Sequence, residues 1–567
     1  MNFLAQHAYP AQGVTLCTYL IALAAVQKGL KVSFIDNLAK EGYLKHCDGL
    51  SATVLEISDG DKTYCFDRSR GSLTAYAAVS VAVNKWKAKE VLLKSGVSTP
   101  WGTVVEDKKV ASSPGYFDSL GFKKVVVKPV SGTQGRGVVT GIKSQEQLER
   151  LLNEYSYEKF LIEEEVSGKE YRYYVADGRV VAVAGRDPAN VIGNGKSTIR
   201  ALIKEKNKER QRNPHLASRL IKLGIIARNY LAENGMSPEY VPPAGEKVYI
   251  SPSANFSTGG DSLDATDLVS DSSKLVAIQA AEALGLPNTG VDIINVDDNG
   301  DEKSYVIEVN ARAQIGSHSF PMVGAGQDNL VAEAIIDAYF PEKKGFCARG
   351  VFFDFQSIKD IISDGQVSRV TLPVIEQTFI KRKIEVLSDE VDLSKKAEAI
   401  KKKMIKERCY GDVSVYSNGV CHLSMLGSKE SISAVKSFVS DAIKKGGDVS
   451  VKAMKAAIEL KFEVRDFSKI EECQLPFKAK YIFSGVVQNV GFRKWLRSRA
   501  IDMNITGWVR NRSDGSVEAV LSSQEKANII RLVDLCKEGP KGAVVNGIEE
   551  LKTTERNLSG FRIRRLR

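Results

Sequence analysis

A β-branched strand running straight into a glycine-rich, basic loop constrains this chain more than any other feature. Val125-Val126-Val127 leads into Lys128-Pro129, and Gly132, Gly135 and Gly137 then follow among small hydroxyl residues and Arg136. Glycine tolerates positive φ, so such a loop can turn its backbone N–H groups around an anion. Lys128 at the strand end adds a point charge suited to phosphate. A second apolar strand, Phe160-Leu161-Ile162, runs into Glu163-Glu164-Glu165-Val166, with Glu170 shortly after. Carboxylates buried behind a strand need donors, and adenine and ribose supply them. Each half alone is a weak signal, because glycine loops are often plain turns and carboxylate runs are usually solvated faces.

A third piece lies far downstream. Gly290–Ile294 and Tyr305–Arg312 read as a hairpin around the turn Asp298-Asn299-Gly300. Asp292, Glu308 and Asn310 fall inside otherwise apolar strands, and Glu308 and Asn310, two apart, share a face. Three oxygen ligands on one sheet face suit Mg²⁺, which takes a few carboxylates together with phosphate oxygens and water. Lysine, glycine-rich loop, carboxylate hinge and E-x-N pair, in that order, closely resemble the ATP-grasp superfamily. The resemblance implies ATP as the nucleotide, with Mg²⁺ or Mn²⁺ as its metal. It places Lys85, Lys128, Gly132, Gly135, Glu163, Glu164, Val166 and Glu170 around the nucleotide, and Asp292, Glu308 and Asn310 on the metal. A second small-residue loop ending in Gly259-Gly260 reads as another backbone cradle.

The segments RDPANVIGNGKSTI, ANFSTGG and TGVDII resemble the ATP-grasp domain of cyanophycin synthetases and of fused bacterial glutathione synthetases. The resemblance spans residues 84–341. The Mur-ligase P-loop pattern of the first group does not occur in this sequence, and 83 residues precede Asn84, where the second group carries a whole ligase. Asn310-Ala311-Arg312 is closer to the E-x-N-x-R ending of the biotin-carboxylase branch. Arg186, just before an Asn-Gly-Lys loop, fits a clamp for a carboxylate or acyl phosphate, and equally a salt-bridged turn.

At 567 residues the chain is too long for one core, and roughly three to five domains are expected. The reading adopted is a multidomain α/β and α+β protein. It has a small α/β domain over 1–83, an ATP-grasp fold over 84–345, a ferredoxin-like α+β domain over 346–470 and a last domain over 471–567. In the first, Thr15–Gly29 reads as a helix and Lys31–Asp36 as a strand. In the third, the order β-α-β-β-α runs from Thr378 to Lys445, and Ile458–Val464 is expected to close the sheet.

The last domain is sharply marked. The strand Tyr481-Ile482-Phe483 precedes Gly485-Val486-Val487-Gln488-Asn489-Val490-Gly491-Phe492-Arg493, and Gly507-Trp508-Val509-Arg510-Asn511 follows a helix. This strongly resembles acylphosphatase, a β-α-β-β-α-β fold. The resemblance implies that the loop and Arg493 hold a phosphoryl group while Asn511 orients water. The family's usual glycine is replaced by Asn489, a residue that tolerates the left-handed region better than most.

A net charge of +11 concentrates toward the C-terminus, with 18 Lys/Arg against 9 Asp/Glu from Lys478 onward. That balance fits small anions as well as nucleic acid, but the aromatic interleaving of single-strand binders is missing, so nucleic acid is not expected. Eight cysteines show no C-x-x-C pairing and no metal spacing with the five histidines, which points to buried thiols in a reducing compartment. No signal peptide is evident and no apolar run reaches the roughly 18 residues that span a bilayer, so a cytoplasmic protein without membrane contact is expected. A homodimer is compatible with the sequence.

The two recognisable halves share the acyl phosphate. The expected function is ATP-dependent joining of a small carboxylate, an amino acid or peptide, to an amine, with a fused acylphosphatase; Arg186 and Arg312 steady developing negative charge. Two alternatives stay open at this stage: a biotin-independent carboxylase or carbamoyl-forming enzyme, and a nucleotide-gated binding protein.

Overall fold

The computed structural model describes residues 3–35, 52–132, 136–252, 254, 256–298, 301–364, 367–388, 391–416, 420–443, 447–467, 477–503, 505–523, 526–551, 553 and 561–564. The chain divides into two units, Met1–Arg349 with Phe355–Ile375, and Gly350–Asp354 with Glu376–Arg567.

The N-terminal layer of the first unit is built on the helix Leu16–Gln27, largely apolar all round and buried at every position, as such a pattern requires. It lies against an antiparallel sheet in the order Arg369–Thr371, Lys31–Ile35, Val54–Ser58, Thr63–Asp67, Arg70–Gly71. The edge strand comes from far downstream. Ser33 faces Thr371 with their hydroxyls 2.8 Å apart, and the ring of Phe355 packs 5.7 Å from both Tyr19 and Phe34. The single domain expected over 346–470 is therefore divided, since Phe355–Ile375 completes the N-terminal layer. The strand Lys31–Asp36 is seen as Lys31–Ile35, and Asp36 lies outside the described residues.

Two further sheets follow. One is four-stranded and antiparallel, in the order Gly102–Val105, Phe160–Glu164, Val125–Pro129, Val139–Ile142. Val125, Val127, Phe160 and Ile162 turn inward against Leu148 and Leu152 of the helix Gln145–Glu154. The other is five-stranded: Asp261–Asp264, Arg179–Asp187, Lys169–Ala176, Asn288–Asp298, Asp301–Asn310. Tyr173, Val291 and Ile293 face the helices Lys85–Lys94 and Asp271–Ala283. Arg172 and Asp292, one residue along, take the opposite face. The hairpin is thus longer than the sequence pattern indicated, and its turn at Asn299-Gly300 lies outside the described residues. A small insert, the helices Ile199–Arg210 and Ile225–Glu233 with the strand pair Asn190–Ile192 and Lys247–Tyr249, has its own core.

The second unit holds two five-stranded sheets of one topology, beside the short parallel pair Val351–Phe352 and Ile458–Glu459. The first is ordered Gly447–Ala453, Ile380–Ser388, Val420–Gly427, Tyr410–Tyr416, Phe462–Phe467. The second is ordered Val544–Leu551, Phe477–Val486, Val517–Ser523, Thr506–Asn511, Phe561–Ile563. In each, two helices cover one face and the last strand lies parallel to its neighbour, Tyr410–Tyr416 or Thr506–Asn511. The likeness reaches single residues. Gly411 and Gly507 have φ of 141° and 145°, and a Cβ on either would meet a carbonyl oxygen of the next strand at 1.8 Å. The strand expected to close the middle sheet is corrected: Gly447–Ala453 closes it, while Phe462–Phe467 adds an outer edge. Gly447–Ala453 is mostly exposed, so only Val449 and Val451 carry its period-2 signal. Among the described residues, no helix is long and apolar enough to cross a membrane.

Candidate functional site

The helix Lys85–Lys94 is set by its cap. The Asn84 carboxamide accepts the N–H groups of Trp86 and Lys87 at 3.1 Å, and Lys85 N–H donates to the Val130 carbonyl at 2.9 Å. The helix start is thereby fixed to the glycine-rich loop. The Lys85 ammonium donates to the Gly132 carbonyl at 3.1 Å and to Glu308 at 2.8 Å. Lysine, loop and sheet carboxylate, separate in sequence, meet here; Gly135 lies outside the described residues.

Lys128 occupies a different setting. Its ammonium pairs with Glu163, whose other oxygen is 3.0 Å from Lys89. All three side chains are at most 7% exposed. Glu163, expected at the nucleotide, is the shared counter-charge of these two buried lysines. Burial lowers the Lys89 pKa in spite of Glu163. Lys89 also donates to the Thr99 hydroxyl at 3.0 Å and to the Pro100 carbonyl. Glu164 accepts the Trp101 N–H at 2.8 Å, and Val166 stands half-exposed just past the strand end.

Arg172, Asp292 and Glu308 face one another across three adjacent strands. Arg172 grips Asp292 with two bonds, Nε to Oδ1 at 2.6 Å and Nη2 to Oδ2 at 2.7 Å. Arg186 adds a third at 3.2 Å and binds Glu170 at 2.7 Å. Burial opposes charge on Asp292, yet the two guanidiniums outweigh it and hold its pKa below the usual carboxylate range. Asp292, expected as a metal ligand, is bound by two arginines. Glu308 is partly exposed, and Asn310 on the same face has a buried Nδ2 with no hydrogen-bond partner. A divalent cation fits Glu308 and Asn310, the amide turning its oxygen inward. Among the described residues, no group of three or more His, Cys, Asp or Glu is arranged for a metal.

Arg312 leaves this centre for the N-terminal layer, where it pairs with the fully buried Asp67. Gly259 and Gly260, expected as a backbone cradle, lie against Ile221 and Arg210. A Cβ at Gly259 would meet Ile221 at 2.9 Å, and the Gly260 carbonyl accepts from Arg210 at 3.1 Å. The sequence reading missed Arg172, Lys89 and Asp67. Arg172 carried the plainest signal, a charge at a position alternating with buried tyrosine in the strand Lys169–Ala176.

The last domain builds its own site. A bulge at Ser484/Gly485 ends the strand Phe477–Val486, and Gln488 Nε2 ties the following loop to the carbonyls of Arg512 and Ser516 at 2.9 and 2.6 Å. That anchor brings the loop beside the end of the strand Thr506–Asn511. Asn489 takes φ of 65°, the left-handed conformation a glycine would adopt. Arg493 follows at the start of the helix Phe492–Asp502, half-buried, and burial lowers its pKa. The Asn511 Oδ1 is buried with no hydrogen-bond partner.

These geometries agree with the comparisons. Residues 82–208 match the RimK-like ATP-grasp domain model, and residues 479–563 match the acylphosphatase model. The chain is 33% identical over 340 residues to the glutathione biosynthesis bifunctional protein GshAB of Clostridium perfringens, covering 58% of this chain and 41% of that protein. It is 33% identical over 286 residues to the cyanophycin synthetase of Trichormus variabilis, covering 48% of this chain and 30% of that protein. The chain thus spans less than half the length of these curated relatives. Its C-terminal part is 36% identical to the solved acylphosphatase of Coxiella burnetii, covering 15% of this chain and 90% of that one, with a TM-score of 0.15. The chain carries a RimK-like ATP-grasp domain and, at its C-terminal end, an acylphosphatase domain.

Proposed function

We propose that the chain is an ADP-forming ligase that joins a small carboxylate, an amino acid or peptide, to an amine, and that its last domain hydrolyses acyl phosphates. The observation that carries this reading is the Lys85 ammonium held between the Gly132 carbonyl and Glu308, which sets the glycine-rich loop beside the acidic hairpin. ATP donates its γ-phosphoryl group to the substrate carboxylate. The amine then attacks the acyl phosphate and phosphate leaves.

Lys85 and Lys128 bind the phosphates, and Glu163 holds Lys128 in place by its charge. Glu308 and Asn310 would hold Mg²⁺, which would supply neutralisation of the phosphate charge. Arg186 lies on the same sheet face and steadies the negative charge of the acyl phosphate, while Arg172 fixes Asp292 and through it Arg186. No protein nucleophile is required, so positioning and electrostatics supply the rate.

In the last domain the loop N–H groups and Arg493 cradle a phosphoryl group, and the unpartnered Asn511 Oδ1 accepts a hydrogen bond from the attacking water and so orients it. Hydrolysis there disposes of acyl phosphate that escapes before an amine arrives. The test is an ADP-release screen of carboxylates and amines with mass spectrometry of the product. ADP release driven by bicarbonate alone would instead support a carboxylase.

A further inference from the structure

Lys85 and Lys89 stand one turn apart on the helix Lys85–Lys94 and share a face. Lys85 reaches the glycine-rich loop and Glu308, whereas Lys89 turns into the protein and is 4% exposed. Three oxygens surround the Lys89 ammonium. It donates to the Thr99 hydroxyl at 3.0 Å and to the Pro100 carbonyl, and Glu163 Oε1 lies 3.0 Å away. Three oxygens match the three N–H bonds of a charged lysine, where a neutral amine has only two. Burial works against that charge and Glu163 works for it.

The other oxygen of Glu163 is bound by Lys128. Two buried ammoniums thus share one buried carboxylate. Glu164, next along the strand, takes the opposite face, stands partly exposed and accepts the Trp101 N–H at 2.8 Å. A buried cluster with one cation in excess is costly by itself, and an arriving anion offsets that cost. Without Lys89, Glu163 would cancel Lys128, and the three-residue cluster would present no net charge. Lys89 also stands where the surrounding elements are tied together. Thr99 and Pro100 lead into Trp101, which exchanges two hydrogen bonds with Glu164, and the Ser98 carbonyl accepts the Val306 N–H at 2.9 Å, two residues before Glu308.

We propose that Lys89 is a positioning residue for the nucleotide: from beneath the site it occupies one oxygen of Glu163, and so leaves the Lys128 ammonium with net positive charge for the ATP phosphates. The proposal rests on the reading of Lys128 as a phosphate contact given above, and adds the residue that governs its charge.

The test measures ATP affinity of the full-length chain, with Mg²⁺, by calorimetry, so it needs no acid or amine substrate. Lys89→Met takes one positive charge from the cluster. Lys89→Met combined with Glu163→Gln takes one charge of each sign and restores the net charge, while the glutamine oxygen can still accept from Lys128. Lys89→Met is expected to weaken ATP binding about ten- to thirtyfold, the effect of a unit charge roughly 8–12 Å from another at an effective dielectric constant of about 20. The double variant is expected to recover to within about threefold of the wild type, a coupling that a lost packing contact would not produce. Equal affinity in Lys89→Met and the wild type overturns the proposal. A double variant as weak as the single one also overturns it, since the loss then comes from shape rather than charge. Where Lys89→Met fails to fold, the double variant decides alone, because it removes both members of a buried pair: a loss of more than about threefold overturns the proposal and a smaller one supports it. Lys128→Met with unchanged ATP affinity refutes the phosphate contact itself, and the proposal with it. ADP release that depends on no carboxylate–amine pair overturns the ligase reading instead, and the binding result stands.

Discussion

Lys85 and Glu308, 223 positions apart in the chain, meet at 2.8 Å. Their contact joins a helix start, a glycine-rich loop and a sheet carboxylate in one charged centre. Replacing Glu308 with Gln keeps the shape but leaves the proposed metal pair without its charge. ADP formation is expected to fall by several kcal/mol of barrier, as when a principal charge stabiliser is removed. Because Glu308 is partly exposed, stability should change by only about 0.5 kcal/mol. Steady-state ADP release with a parallel thermal melt checks both parts, and near-normal turnover would refute the assignment.

Glu163 behaves differently. It is the shared counter-charge of the buried Lys89 and Lys128, so Glu163→Ala leaves two ammoniums without it. A loss of about 3–5 kcal/mol in stability is expected, measured by urea unfolding. A variant of normal stability that has merely lost nucleotide affinity would return Glu163 to the nucleotide-contact role.

The acylphosphatase cradle depends on Asn489 holding φ of 65°. Asn489→Gly fits that conformation and should keep hydrolysis of benzoyl phosphate at or above the wild-type rate. Asn489→Val, β-branched, strains the loop by about 1–3 kcal/mol and should suppress hydrolysis. Arg493→Ala should abolish hydrolysis while ligation with both substrates continues. Equal rates in the Gly and Val variants would show that the loop does not shape the site.

Buried His318 sets a pH dependence. Burial presses its pKa down to about 3 from an ordinary value of 6.5. Between those values the unfolded chain binds the proton and the folded chain does not. Its contribution to stability is therefore complete above pH 6.5 and is lost as pH falls, by up to about 1.4 kcal/mol per pH unit. Denaturant melts at pH 7 and pH 5.5 should show a larger drop for the wild type than for His318→Gln. Identical drops would mean that His318 is protonated in the folded chain.

What was legible in the sequence was whatever is local. Val125–Lys128, the Glu308/Asn310 spacing and the Gly485–Arg493 loop are each patterns that lie within a few consecutive residues. The pairing of distant charges was not legible. Asp292 looks like a metal ligand in its own strand, and only the register opposite Arg172 shows that guanidiniums claim it. Glu163 likewise reads as a hinge carboxylate until Lys89, from a separate helix, is seen beside it. The contribution of Arg369–Thr371 to the N-terminal sheet is non-local in the same way, since no short window of sequence marks it as the partner of Lys31–Ile35.

The central claim is that the first unit activates an organic carboxylate for attack by an amine. The most direct measurement is ADP release by the full-length chain, with ATP and Mg²⁺, across a panel of amino acids and peptides, alone and in pairs, with mass spectrometry of the products and labelled bicarbonate as a separate arm. The account predicts ADP release that requires an organic carboxylate, rises when an amino acid is added, and yields a condensed amide equal in amount to the ADP. ADP release with bicarbonate alone, or label carried into the product, would contradict it.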